Sequence, residues 1–278
     1  MNASVQTVSR KTVALYAVGS LGTGGFATLP GLVLVYYLTD TLGLGALVAG
    51  LVVTAAKVWD VLIDPVIGTR SDHSLATTGS RRRFMLLGGS LLPLFFLLTF
   101  AVPVSANGLL SALWVLIAFL ACATAFSLFQ VPYIALPAEL APSYHDRTRL
   151  LTWRVVVLTI AILLFGAGGP LLRGAVDDPR LGYLLMALVA ALVIGGGMLV
   201  ASLVAPRSLP LTKRGAQPAY RESYRAGIRI LQRSQPFRAL LGTFLLQGLA
   251  TGLMLAGAQY VATWVLHSED AVTLLFVV

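Results

Sequence analysis

The stretch KVWDVLIDPVIGTRSDHS, residues 57–74, places Lys57, Asp60 and Asp64 inside or at the end of a long apolar run. At roughly 100° per residue the three fall within about 60° of one another around a helix, so they share a face. Two carboxylates at i and i+4 bring their oxygens toward one small volume, where they repel unless a proton or a cation enters. Lys57 neutralises one of them, leaving a single negative charge that suits one monovalent cation. Pro65 follows Asp64 directly; it lacks a backbone N–H and leaves a carbonyl near Asp60 and Val61 free to serve as an oxygen ligand. The competing reading is an intrahelical Lys57–Asp60 ion pair with Asp64 near the cytoplasmic surface. Ionisable groups within apolar segments more often mark transport pathways.

A second constellation follows. Gly68, Asp72, Gly79 and the run Arg81, Arg82, Arg83 form a short charged turn with the spacing G-x3-D-x6-G-x-RRR. An Asp at one helix end facing arginines of the next is a latch that can break and re-form between two states of a rocking protein. The alternative is the ordinary retention of arginines on the cytoplasmic side of a membrane.

The elements that hold these residues are membrane helices. Of 278 residues, 57% are hydrophobic and 11% charged, with a mean hydropathy of +0.85; soluble domains carry about a quarter charged residues. Apolar runs recur near 12–38, 45–69, 84–104, 108–131, 150–172, 182–205 and 237–263, lengths that cross a hydrocarbon core as helix. An eighth run begins near Ala271, and AVTLLFVV is too short to cross. Either it folds onto the surface or the chain is a fragment of something longer, and the second is the expectation. The first run is too long for a cleavable signal. Cys122 is the single cysteine, which rules out an intrachain disulfide framework and reads as a small core residue.

The net charge of +9 is distributed as in a membrane chain rather than a nucleic-acid binder. Arg10 and Lys11 precede the first run; Arg70 and Arg81–Arg83 follow the second; Arg147 and Arg149 follow the fourth; eight basic residues lie between Arg207 and Arg238. The opposite loops have no basic residue at 39–44 or 105–108, and at 173–181 Arg173 and Arg180 are balanced by Asp177 and Asp178. This alternation predicts a cytoplasmic N-terminus. Residues 206–236 form a basic linker between six spans (1–205) and the start of a second set (237–278), the plan of a transporter built from two six-helix halves. Within it Arg221, Arg225, Arg229 and Arg233 recur every four residues. That pattern fits an amphipathic helix on the anionic leaflet or a solvated connector. In the seventh span Gly248, Gly252 and Ala256 make a small-residue face that reads as a helix contact.

The pattern Asp-x3-Asp-Pro-x2-Gly-x2-Ser-Asp-x6-Gly-x-Arg-Arg, from Asp60 to Arg82, resembles the second-helix signature of the glycoside–pentoside–hexuronide:cation symporters. These form the melibiose-permease-like branch of the major facilitator superfamily. YAVGSLGTGG, YYLTDTLGL and FQVPYIALPAEL resemble the corresponding stretches of the same family. The resemblance implies an all-α integral membrane protein, a major-facilitator-type bundle comprising the N-terminal six-helix half, span seven and the start of span eight. It further implies a multi-pass, monomeric transporter of the bacterial inner membrane, without cofactor, coupled to Na+ or H+. Asp60 and Asp64 would hold that cation. The family's sugar-binding positions in spans one, four and five fall on Ser20, Gln130 and Arg154. The arginine is kept and the two carboxylates are replaced, which leaves galactoside specificity open. Ser20, Gln130 and Tyr133 can still hydrogen-bond a polar solute. Each also has a plainer reading: Ser20 as a helix contact in a Gly-rich run, Gln130 as a cap before Pro132, Arg154 as a charge reaching for the cytoplasmic surface.

Three other functions compete. A lysolipid transporter of the same fold would suit a less polar cavity. An intramembrane Mg2+-dependent prenyltransferase also uses Asp-x3-Asp, but needs a second acidic cluster on another helix, and Asp177 and Asp178 lie in an outer loop. A non-transporting scaffold would leave the paired carboxylates unexplained.

Overall fold

The computed structural model describes residues 8–103, 107–141, 143–208, 229, 233–268 and 271–272. Seven helices among them are long and apolar enough to cross a membrane. Each starts or stops where its sequence provides a cap. Ser9 accepts a hydrogen bond from the Thr12 N–H and opens α1 (Arg10–Val18). Gly19 joins it to α2 (Ser20–Leu29), and the chain continues through widened turns at Pro30–Leu34 and Tyr37–Thr41 to complete span one. Span two is α3 (Ala46–Thr78), stopped by Gly79 at φ 75° with its N–H on the Leu75 carbonyl. The left-handed backbone there is one that glycine adopts without strain.

The remaining helices are α4 (Arg82–Phe100), α5 (Gly108–Leu140), α6 (Tyr144–Arg173), α7 (Pro179–Ser202) and α8 (Gln235–Tyr260). Asn107, Ser143, Asp178 and Ser234 cap α5 to α8 through side-chain oxygens.

Two boundaries lie well beyond the expected ones. α3 runs to Thr78 rather than residue 69, and α5 runs to Leu140 rather than residue 131, through both Pro132 and Pro137. The proline positions lose a hydrogen bond each, yet Pro132, Tyr133, Leu136 and Pro137 are buried, and contact with neighbouring helices outweighs the missing bonds. Gln130 is therefore mid-helix and caps nothing.

α4 lies between α5 and α7, α3 rests on α5, and span one packs on α6 and α7. Close approach is possible because small residues sit at the crossings. A Cβ on Gly88 would lie 2.5 Å from the Phe129 nitrogen and 2.6 Å from the Ala125 carbonyl oxygen, so α4 and α5 touch backbone to backbone. A Cβ on Gly24 would lie 2.6 Å from the Ala161 Cβ across span one and α6, the helix contact expected for the Gly-rich run.

α8 differs. Among the described residues its main contacts are with span one, through Leu255 beside Gly31, a Thr39–Tyr260 hydroxyl pair at 2.6 Å and an edge-on Tyr36–Tyr260 contact at 5.4 Å. A Cβ on Gly248 or Gly252 would meet no atom within 4 Å. The small-residue face read as a helix contact is thus open among the described residues. Arg221 and Arg225 of the linker, and residues 273–278 of the eighth run, lie outside the described residues.

Candidate functional site

α3 carries the paired carboxylates, and the structure gives them unlike surroundings. Lys57 Nζ lies 3.5 Å from Asp60 Oδ2, with the lysine side chain 69% exposed and the aspartate 23% exposed. Asp60 Oδ1 is buried and has no hydrogen-bond partner among the described residues. Asp64, one turn on, is exposed and belongs to none of the described ion pairs. The Lys57–Asp60 pair therefore exists, and it leaves one Asp60 oxygen and the whole of Asp64 uncompensated. Proline at 65 deprives the Val61 carbonyl of its usual helix donor, and Trp59 donates to Thr124 Oγ1 of α5 at 2.8 Å. No group of three or more His, Cys, Asp or Glu gathers among the described residues. A cation here would rest on two carboxylates plus neutral oxygens, which fits a monovalent ion or a proton better than a tightly held divalent metal.

The expected solute residues form two layers. The lower layer is closed. Ser20 and Tyr133 are fully buried, their hydroxyls 3.1 Å apart, and Tyr133 also donates to the Tyr16 carbonyl at 2.8 Å. Tyr16 stacks on Tyr133 with centroids 4.6 Å apart. These side chains fasten α1 and α2 to α5. The upper layer is open. Thr23 donates to Gln130 Oε1 at 2.8 Å, leaving the amide nitrogen to donate elsewhere. The Arg154 guanidinium lies over the Tyr133 ring at 5.3 Å, and its Nε is buried with no hydrogen-bond partner among the described residues.

Arg154 is the eleventh residue of α6, about 15 Å along the helix from Tyr144. It is held by an aromatic face rather than extended to the surface. No carboxylate pairs with it among the described residues. Tyr16 and Thr23 were not singled out in the sequence, although they flank Ser20 at i−4 and i+3, on the same helix face.

A separate cavity of about 750 Å³ opens farther along, between span one, α6 and α8, lined by Ala27, Thr28, Ile162, Thr251 and Met254 among others. Its polar groups in that set are two threonine hydroxyls. It has room for a solute, but the groups able to orient one lie at Arg154, Gln130 and Thr23.

The latch residues divide sharply. Arg81 is 8% exposed; it forms an ion pair with Asp72, donates to Ser71 Oγ at 3.1 Å, and reaches Glu139 Oε1 of α5 at 2.7 Å. Gly68 faces Val131 of α5 and accepts from Ser71 Oγ. Arg82 and Arg83 take part in none of the described ion pairs. One arginine of the three thus joins spans two, three and four. Glu139, absent from the sequence expectation, lies within the quoted FQVPYIALPAEL. Arg81→Gln should leave Glu139 without its partner and cost on the order of 3 kcal/mol, whereas Arg83→Gln should cost little. Detergent thermal melts of the two variants check this; equal melting temperatures would count against the triad.

The family described as MFS/sugar transport protein matches residues 15–278. The uncharacterized symporter sll1374 of Synechocystis sp. is 32% identical over 179 residues, 60% of this chain and 33% of that protein. The glucuronide carrier protein homolog of Escherichia coli strain K12 is 24% identical over 275 residues, covering 98% of this chain and 59% of that protein. The chain thus spans between a third and three fifths of the length of these two relatives. Among solved structures, a chain of the tetrameric PepTSo2 crystal structure aligns with a TM-score of 0.52 at 19% identity, over 88% of this chain and 48% of that one, a likeness of fold alone.

Proposed function

Since this chain belongs to the MFS/sugar transport protein family, we propose that it acts as a cation-coupled symporter of a glycoside or related sugar, by alternating access. Family membership sets it among multi-pass membrane transporters rather than enzymes, and the resemblance seen in the second-helix signature is in keeping with it. The finer reading rests on one observation. On α3 an Asp60 oxygen is buried without a partner beside the uncompensated Asp64. Such a group within a membrane helix is stabilised by a cation or a proton.

The solute site of this reading is Arg154, Gln130 and Thr23, resting on Tyr133. An unpaired, half-buried guanidinium favours a sugar bearing an acidic group, such as a uronide, over a purely neutral one. Neutral glycosides would engage it through a hydroxyl pair. α8 contacts span one at Gly31–Thr39, the end opposite the N-terminus, which the loop-charge alternation places outside. In that orientation the N-terminus and the Asp72–Arg81–Glu139 triad are cytoplasmic, and the triad is the contact that would break and re-form.

Uptake of radiolabelled methyl glycosides and a methyl glucuronide into proteoliposomes tests the function. Accumulation above equilibrium should require an imposed Na+ or proton gradient. Uptake that merely equilibrates with either gradient would refute coupling, and a preference for lysolipid over every sugar would refute the solute class.

A further inference from the structure

The cytoplasmic ends of α1 and α6 enclose a cavity of about 320 Å³ lined by Arg10, Val13, Ala14, Arg149 and Trp153. Around α6, Trp153 stands roughly 40° from Arg149 and Arg154 roughly 140° from it. The cavity therefore opens on the flank away from the solute site.

Its walls are fixed by hydrogen bonds. Asp146, 2% exposed, accepts from the Val8 N–H at 3.3 Å and from the Ser143 hydroxyl at 2.8 Å. Arg149 donates to the Val8 carbonyl at 3.5 Å. Both contacts fasten the segment before α1 to the first turns of α6 and bring Arg10 and Arg149 to one pocket. Asp146 is occupied by those donors, and no described ion pair includes Arg10 or Arg149. Two guanidinium groups thus line one small cavity without a carboxylate between them, an arrangement that an anion relieves.

The rest of the lining says which anion. Val13 and Ala14 are apolar, and Trp153 is 51% exposed, with its indole one turn deeper into the membrane than Arg149, where such rings favour the water–lipid boundary. A free phosphate would engage the arginines and leave the apolar wall unused. A phospholipid engages both, its phosphate on the arginines and its glycerol and first methylenes along Val13, Ala14 and Trp153. Basic pockets between helices at the cytoplasmic face suit anionic lipid headgroups in this way. We propose that the α1–α6 pocket binds the headgroup of an anionic phospholipid of the cytoplasmic leaflet.

Purified protein, titrated with phosphatidylglycerol, phosphatidylcholine or inorganic phosphate and followed by native mass spectrometry, tests this. Phosphatidylglycerol should bind in preference to phosphatidylcholine. Arg10→Gln and Arg149→Gln should each weaken phosphatidylglycerol binding about fivefold, as expected for one basic residue near a charged headgroup. Arg149 also fastens Val8, so Arg10→Gln carries the test if the other variant misfolds. A double Arg207→Gln, Arg238→Gln variant removes the same charge as both pocket changes together and should retain the preference. Equal phosphatidylglycerol binding by wild type and Arg10→Gln overturns the proposal, as does an equal loss in the Arg207, Arg238 control. Displacement of the lipid by a tenfold excess of inorganic phosphate would make the pocket a phosphate site and overturns it too.

Discussion

Asp60→Asn and Asp64→Asn should each abolish gradient-driven uptake while the protein still inserts and folds. Each change removes an anionic oxygen and keeps the size of the side chain. A charge-assisted contact contributes about 1.5–3 kcal/mol, so cation affinity should fall on the order of ten- to a hundredfold for each carboxylate. Insertion should be unharmed, because a neutral amide is less costly in hydrocarbon than a carboxylate. The expectation is the same for Na+ and for H+, since asparagine neither binds sodium strongly nor takes up a proton near neutrality. The environments of the two groups separate their roles further. Asp60 carries the orphaned buried oxygen and is held by Lys57, so Asp60→Asn should also loosen Lys57 and relieve a desolvation cost. Asp64 is exposed, so Asp64→Asn should change coupling with little effect on stability. Proteoliposome uptake under Na+ and proton gradients, paired with detergent melts, separates these effects. Undiminished accumulation by the double variant would remove the carboxylates from the coupling site.

How far the sequence carried this site depends on how local each contact is. Lys57, Asp60 and Asp64 lie within two helical turns, so the helical period alone placed them on one face. The span count was equally legible, because a membrane helix must be continuously apolar and about 20 residues long. Contacts across helices were legible only in part: the Asp72 side of the latch was expected, but which arginine meets it, and Glu139, were not. Arg81, Arg82 and Arg83 are alike in type, and only the angle at which α4 begins decides that Arg81 turns inward to Asp72 and Glu139. Glu139 lies 58 residues from Arg81 in the chain, and nothing local marks it as the partner. Ser20 was read as a solute contact because the resemblance places it at a sugar-binding position, and Tyr133 because its hydroxyl can hydrogen-bond a polar solute. The fold brings those hydroxyls together at 3.1 Å and makes them a support, with the half-buried Thr23 one turn farther along bonded to Gln130 instead. The helix overruns past residues 69 and 131 escaped for a different reason. Hydropathy marks where lipid ends, and a helix stabilised by neighbouring helices continues past that point.

Arg154→Lys should weaken solute binding by about ten- to a hundredfold, the loss of one to two charge-assisted hydrogen bonds, and leave the fold intact. The charge is unchanged, so a purely electrostatic role would survive the exchange. What is lost is the planar fork that can grip two oxygens at once and that stands over the Tyr133 ring at 5.3 Å. Lysine would place one point charge on a flexible stem, and the buried Nε that now has no partner would be gone. The support beneath should hold, because the bonds joining Ser20, Tyr133 and Tyr16 do not pass through Arg154. The loss should be greatest for a methyl glucuronide, whose carboxylate can take the fork in a bidentate pair, and smaller for neutral methyl glycosides that offer only hydroxyls. Equilibrium binding to purified protein, measured in Na+ and in its absence, gives both numbers. If Arg154→Lys binds the glucuronide and the neutral glycosides as wild type does, the guanidinium only braces Tyr133, and the solute is held elsewhere along the cavity.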